Sequence, residues 1–122
     1  MSPNFLLVGR QEDKGWSRIL EQALAPLGKV EIVSEQDAAD RLAKHECGAI
    51  VIIDATEVKE VPASVSRLRD RCPGSRIIVA TASPTWQRAR DAFQAGAIGY
   101  IRKSWDSQKL LAAIKGVLRE TL

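Results

Sequence analysis

The chain has little that would tie it to a metal, a membrane or a disulfide scaffold. Its 122 residues include one histidine, His45, so no zinc set of the usual kind can be assembled. Two cysteines, Cys47 and Cys72, allow one disulfide at most, and both are expected to stay reduced in a cytoplasmic chain. The longest apolar runs, Ala49 to Ile53 and Ile77 to Ala80, are strand-sized and far below the ~20 residues that a membrane span needs. The opening Met1-Ser2-Pro3-Asn4-Phe5 lacks the basic segment and apolar stretch of a signal peptide, so a cytoplasmic location without a membrane partner is expected. No five like charges run together, and the net charge of +3 is too small to announce nucleic-acid binding. Arg67, Arg69 and Arg71, with Arg88 and Arg90, come closest to a basic patch. A spacing of two sends them to different faces of a helix, which reads as solvated surface.

What is present is a core. Hydrophobic residues make up 45% and charged residues 27%, the balance of a globular chain, and the length suits one domain over 1–122. Strand-length apolar runs recur five times, each followed by helical periodicity. Phe5 to Val8 leads to Trp16, Ile19, Leu20, Ala23, Leu24 and Leu27 on one helix face, stopped by Pro26 and Gly28. Val30 to Val33 precedes a helix capped by Ser34, with Ala38, Leu42 and Ala43 facing inward. Ala49 to Ile53 is β-branched and lacks alternation, as a central parallel strand does when both its faces are covered. Val61, Val65, Leu68 and Cys72 then mark a helix that Pro73-Gly74 ends. Ile77 to Ala80 precedes a helix for which Ser83-Pro84 reads as the cap, with Trp86, Ala89 and Phe93 turned inward until Gly96. Gly99 to Arg102 is the fifth strand, and Asp106 caps a last helix carrying Leu110, Leu111, Ile114, Val117 and Leu118.

Five such units with right-handed crossovers predict an α/β fold: a doubly wound parallel sheet covered by helices on both faces. Ligands of these sheets bind at the carboxyl ends of the strands. Those ends carry Gly9-Arg10, Asp54, Thr81 and Lys103. A carboxylate with a hydroxyl and an ammonium on neighbouring strand ends suits phosphoryl transfer to the aspartate, the Lys and hydroxyl holding the equatorial oxygens. The plainer alternative is a strand-end aspartate paired to Lys103. A nucleotide site is disfavoured, because Gly9-Arg10-Gln11-Glu12-Asp13 has a single early glycine and is no phosphate-cradling loop.

The segments Gly48 to Asp54, Ile77 to Ala82 and Gly96-Ala97-Ile98-Gly99-Tyr100-Ile101-Arg102-Lys103 resemble those of response regulator receiver domains, the CheY-like family, over essentially the whole chain. The resemblance implies a flavodoxin-like sheet of order 2-1-3-4-5 with five helices, and signalling in a two-component phosphorelay rather than enzymatic turnover. It implies that Asp54 is the phosphoacceptor for a histidine kinase, that Thr81, Ala82 and Lys103 support the phosphoryl group, and that Tyr100 is the switch aromatic.

Three positions depart from the family pattern. Where receivers carry an acidic pair that binds Mg²⁺, this chain has Gly9 and Arg10, so Asp54, Lys103 and Arg10 sum to +1 where a divalent site needs excess negative charge. Glu12 and Asp13, with Asp54 and the Thr56 backbone, are the remaining candidates for a weak metal site. No cofactor is expected, and Mg²⁺ only if phosphorylation is retained. The loop after Asp54 reads Ala55-Thr56-Glu57-Val58-Lys59-Glu60 instead of the family's Met-Pro and later Gly, and Ser104 stands where a proline often follows the Lys. Arg10 has three readings: pairing with Asp54 in the metal's place, standing with Lys103 around a phosphoryl group, or turning to solvent.

The expected partner is therefore a histidine kinase or another signalling protein. Trp86 and Tyr100 are the contact candidates, a homodimer through the last helices is a further possibility, and no direct nucleic-acid binding is expected of this domain. Trp105 reads more simply as helix–sheet packing.

Overall fold

The computed structural model describes residues 4–9, 14–44 and 48–120, with the side chains of Lys14 and Glu120 left aside. Strands and helices alternate throughout: β1 (Asn4–Val8), α1 (Lys14–Leu24), β2 (Lys29–Val33), α2 (Glu35–Lys44), β3 (Ile50–Asp54), α3 (Val61–Arg71), β4 (Arg76–Thr81), α4 (Trp86–Ala95), β5 (Gly99–Arg102) and α5 (Ser107–Glu120). Among the described residues all four strand pairings are parallel, in the order β2-β1-β3-β4-β5. This is the flavodoxin-like, CheY-like sheet expected from the sequence.

Period-two alternation along the strands sorts the apolar residues into two cores. Leu6, Val8, Val51, Ile53, Ile77 and Val79 face α2, α3 and α4, where Leu42, Val65, Leu68 and Ala92 meet them. Phe5, Leu7, Ile50, Ile52, Ile78 and Ile101 face α1 and α5, where Trp16, Leu20, Leu24, Leu110 and Ile114 meet them. Because β3 is buried along its whole length, its last residue, Asp54, is carried into the interior. Two glycines are required by geometry. Gly96 ends α4 at φ 122°, a region that L side chains rarely adopt. A Cβ on Gly99 would lie 2.6 Å from Val117 Cγ1, so only a bare backbone lets α5 approach β5 this closely.

The capping expectations at Ser34 and Asp106 are met. Ser34 Oγ accepts from the Asp37 amide at 3.1 Å, and Asp106 Oδ1 accepts from the Gln108 and Lys109 amides at 2.9 and 3.3 Å. At α4 the sequence reading needs correcting. The cap is Thr85, whose Oγ1 accepts from the Arg88 amide at 3.3 Å, so the helix starts after Ser83-Pro84. Ala92 becomes its buried contact, while Trp86 and Phe93, expected inward, are 68% and 48% exposed. In α2 the buried alanines are Ala38 and Ala39, and Ala43 is exposed. Cys72 is also corrected: it is buried at the end of α3 and disulfide-bonded, not reduced. The chain's other cysteine, Cys47, lies outside the described residues. No helix among the described residues is long and apolar enough to cross a membrane.

Candidate functional site

The chain runs from β1 outward to β2 and then crosses to β3, so the strand order reverses between β1 and β3, and the crevice of such a sheet opens at their carboxyl ends. Asp54 stands there, 4% exposed, opposite Ala80 of β4. Both of its carboxylate oxygens accept hydrogen bonds. Lys103 Nζ donates to both oxygens at 3.0 Å, and the Thr56 amide donates to Oδ1 at 2.9 Å. The ammonium's third hydrogen bond goes to Thr56 Oγ1 at 3.4 Å. Both side chains of the ion pair are nearly dry, so the charges are screened far less than a surface pair would be.

Lys103 reaches this position because β5 is extended one residue beyond its ladder, the Lys103 amide donating to the Thr81 carbonyl at 2.8 Å. It has a second neighbour that periodicity alone did not single out. The indole of Trp16, 1% exposed on α1, lies with its centroid 4.9 Å from Nζ, and its Nε1–H donates to the Ser104 carbonyl at 3.0 Å. Among the described residues no peptide bond is cis, Lys103-Ser104 included.

Gly9 is placed where the family's acidic pair would begin. A Cβ built on it falls 3.6 Å from Asp54 Cβ and 3.9 Å from Glu57 Cγ, ordinary contact distances. A side chain at this position would thus begin within contact distance of the Asp54 side chain. Glu57, which the sequence reading passed over inside the loop, is a further acid that the fold brings alongside Gly9 among the described residues. The Asp54 carbonyl accepts from the Glu57 and Val58 amides at 3.1 and 3.0 Å, and that turn folds the loop back. Arg10, Glu12 and Asp13 lie outside the described residues. Among the described residues, no three His, Cys, Asp or Glu side chains gather as a metal site would require. A hard divalent cation is a poor fit where an ammonium already holds both Asp54 oxygens.

Thr81 and Tyr100 fall on the other face of the sheet. Thr81 ends β4, buried, with its Oγ1 accepting from the Ser83 amide at 3.2 Å, and Ala82 beside it is exposed. Tyr100, half-buried on the edge strand β5, pairs in register with Val79. Between them and α4 opens a cavity of about 320 Å³ lined by Ala55, Val58, Val61, Thr81, Arg88 and Tyr100 among others. Trp86 stands at the start of α4 with the Arg90 guanidinium 5.2 Å over its ring. Trp105 is 66% exposed, which corrects its reading as core packing. The turn between β5 and α5 carries it past the end of the sheet, beyond the reach of either core.

No family model matches the sequence, and no curated protein matches it. Solved structures do. The chain superposes on a response regulator from Thermotoga maritima with a TM-score of 0.81 at 23% identity, covering 98% of this chain and 99% of that one. It has the receiver-domain fold. The signal receiver domain of an HD domain-containing protein from Pseudomonas fluorescens Pf-5 is 27% identical with a TM-score of 0.76, covering 98% of this chain and 97% of that one. A LuxR-family two-component response regulator from Aurantimonas sp. SI85-9A1 is 26% identical with a TM-score of 0.77, covering 98% and 87% of the two chains. In this receiver fold, Gly9, Asp54 and Lys103 lie on one face of the sheet and Thr81 and Tyr100 on the other, all five among the residues that sequence reasoning had selected.

Proposed function

We propose that this receiver is an atypical response regulator module of two-component signalling, acting by protein–protein contact with Mg²⁺-dependent phosphorylation of Asp54 weakened or absent. The observation that carries the reading is the two-oxygen grip of Lys103 on Asp54 beside Gly9. An acceptor that must attack phosphorus needs a free carboxylate oxygen and a cation to gather the incoming oxygens. Here the cation comes from the chain and occupies the nucleophile itself, while Gly9 supplies no ligand for a metal. The module is a signalling element, not an enzyme, and it requires no cofactor. Its partner is a histidine kinase or another signalling protein, engaged through the surface around Trp86 and Tyr100. We place it in the cytoplasm, as one domain over 1–122, without direct nucleic-acid binding, and with a homodimer through the last helices as a further assembly.

The second reading is a working phosphoacceptor, favoured by the placement of Asp54, Thr81 and Lys103 on adjoining strand ends in the family's order. Titrating the protein with Mg²⁺ and beryllofluoride while following amide resonances separates the two. The first reading expects no saturable shift at Thr81 and Tyr100 up to millimolar metal. Large shifts at both would overturn it and establish the second. Gly9→Asp sharpens the experiment, because its Cβ would lie at ordinary contact distance from Asp54. That variant, and Arg10→Asp, should gain measurable Mg²⁺ affinity, and an unchanged affinity would place the defect in the loop rather than in the charge.

A further inference from the structure

We propose that Trp16 is a positioning residue for the phosphoryl site, holding Lys103 over Asp54 by a two-point clamp. One indole touches both the lysine's ammonium and the backbone of the residue that follows it. Its ring lies 4.9 Å from the ammonium, and its N–H binds, at 3.0 Å, the carbonyl of Ser104, the residue immediately after Lys103. The two contacts constrain different freedoms. The hydrogen bond fixes the backbone turn from which the lysine departs, and the cation–π contact favours one orientation of a four-carbon side chain that is otherwise free to swing.

Three features make this more than helix packing. The Trp16 ring is a large apolar surface 1% exposed, and packing alone is satisfied by Leu or Phe; the indole adds a donor, which finds a partner 88 residues away in sequence. The turn it grips lacks a proline: Ser104 leaves the backbone torsions unfixed by a ring, so the rigidity must come from outside the turn. The ammonium is also saturated, with its three donors directed at Asp54 Oδ1, Asp54 Oδ2 and Thr56 Oγ1, so the ring adds orientation without competing for a proton. Trp16 touches no reacting atom in this arrangement and acts through Lys103.

The inference rests on reading Asp54 and Lys103 as the phosphoryl site only for its biological meaning, and its test is made on the unphosphorylated protein. The rate at which acetic anhydride modifies Lys103 is measured by mass spectrometry against exposed Lys109 in the same sample. In the wild type Lys103 should be protected. Trp16→Leu, which removes both contacts, should raise the Lys103-to-Lys109 ratio roughly three- to twenty-fold, the range that a partly to fully desolvated cation–π contact spans. Trp16→Phe keeps a ring and loses the N–H, and it should fall between. Global unfolding exposes both lysines and is recognised by loss of the circular dichroism signal; if Trp16→Leu fails that check, Trp16→Phe carries the test. A second readout uses Trp86→Phe/Trp105→Phe, which leaves Trp16 as the sole tryptophan. Lys103→Met in that background should shift its emission, and a folded Trp16 variant with an unchanged ratio, or unchanged emission on losing the lysine, overturns the proposal. The beryllofluoride titration fails or succeeds separately. A full response there with Lys103 still protected sinks the weakened-phosphorylation reading and leaves the clamp standing.

Discussion

The two faces of the sheet treat their polar residues in opposite ways. On the α1/α5 face, Asp54, Lys103 and Trp16 form a closed assembly in which the carboxylate and ammonium are paired and the indole donor is spent. On the α2/α3/α4 face, Thr81 and Tyr100 border a cavity, and beyond it α4 presents Trp86 and Phe93 to solvent. The difference lies in order: the half around Asp54 is locked by contacts internal to the chain, while the half around Thr81 and Tyr100 borders open space and exposed apolar surface. Long-range connection holds the first together, joining α1, β3 and β5, whereas the second is bounded by the loop after β3, the start of α3, and α4, which turns Trp86 and Phe93 to solvent.

Substitutions should expose this contrast. The largest effect is expected from Lys103→Ala, which leaves Asp54 buried without its partner; breaking a buried pair in this way costs about 3–5 kcal/mol. Urea unfolding measures it, and Lys103→Ala combined with Asp54→Asn should recover much of the loss, because the orphaned charge is then gone. Next comes Gly99→Ala on the same face, which drives a methyl into Val117 and should cost about 1–3 kcal/mol, with Val117→Ala restoring most of it. A loss no larger than that of an ordinary surface substitution would show that α5 can yield.

The opposite face is fastened differently, by ion pairs at its surface. Glu35 at the start of α2 accepts from Arg67 at 2.7 and 2.8 Å and from Ser64, both on α3, and the Arg67 guanidinium first, then Ser64, hold its carboxyl below the ordinary 4.5 against the opposing effect of burial. A carboxylate with a lowered folded-state pKa contributes stability that is present above 4.5 and disappears as the pH falls through the folded value. The α2–α3 contact should therefore loosen in acid, and Glu35→Gln should flatten that part of the stability–pH curve. Glu31 behaves alike through Arg41, whose hydrogen bonds at 2.7 and 3.2 Å lower it. The smallest effect on stability belongs to Trp86→Ala and Phe93→Ala, within about 0.5 kcal/mol as at other exposed positions. On the proposed reading these two should instead weaken partner binding, measured by titration calorimetry. A stability loss as large as that of Lys103→Ala would abolish the distinction between the two faces.

The sequence disclosed the closed half better than the open one. Strand runs such as Ile50 to Ile53 have no polar face to misread, so β3 and the position of Asp54 at its end followed from composition, as did the lysine four residues beyond Gly99. Trp16 was legible as a buried helix residue, but its N–H bond to Ser104 was not, since nothing local in a sequence pairs residues 88 apart. Glu57 was hidden for a similar reason: only the folded turn after Asp54 brings it beside Gly9. In α4 the misreading was local. Ser83, Pro84 and Thr85 all carry capping signals, and the spacing of Trp86, Ala89 and Phe93 suggests one inward stripe, whereas the structure buries Ala92. Trp105 failed on a general expectation, that a large aromatic is buried, in a turn too far past the sheet for either core to cover.

The bond between Lys103 and Asp54 also bears on what such a module is able to sense. On the proposed reading, this carboxylate stays paired with a residue of its own chain whatever the supply of metal or phosphodonor around it. Under the proposed function, the information the protein carries then lies in how many copies exist and how many are occupied by a partner, so its signal is set by synthesis and degradation and read at an interface.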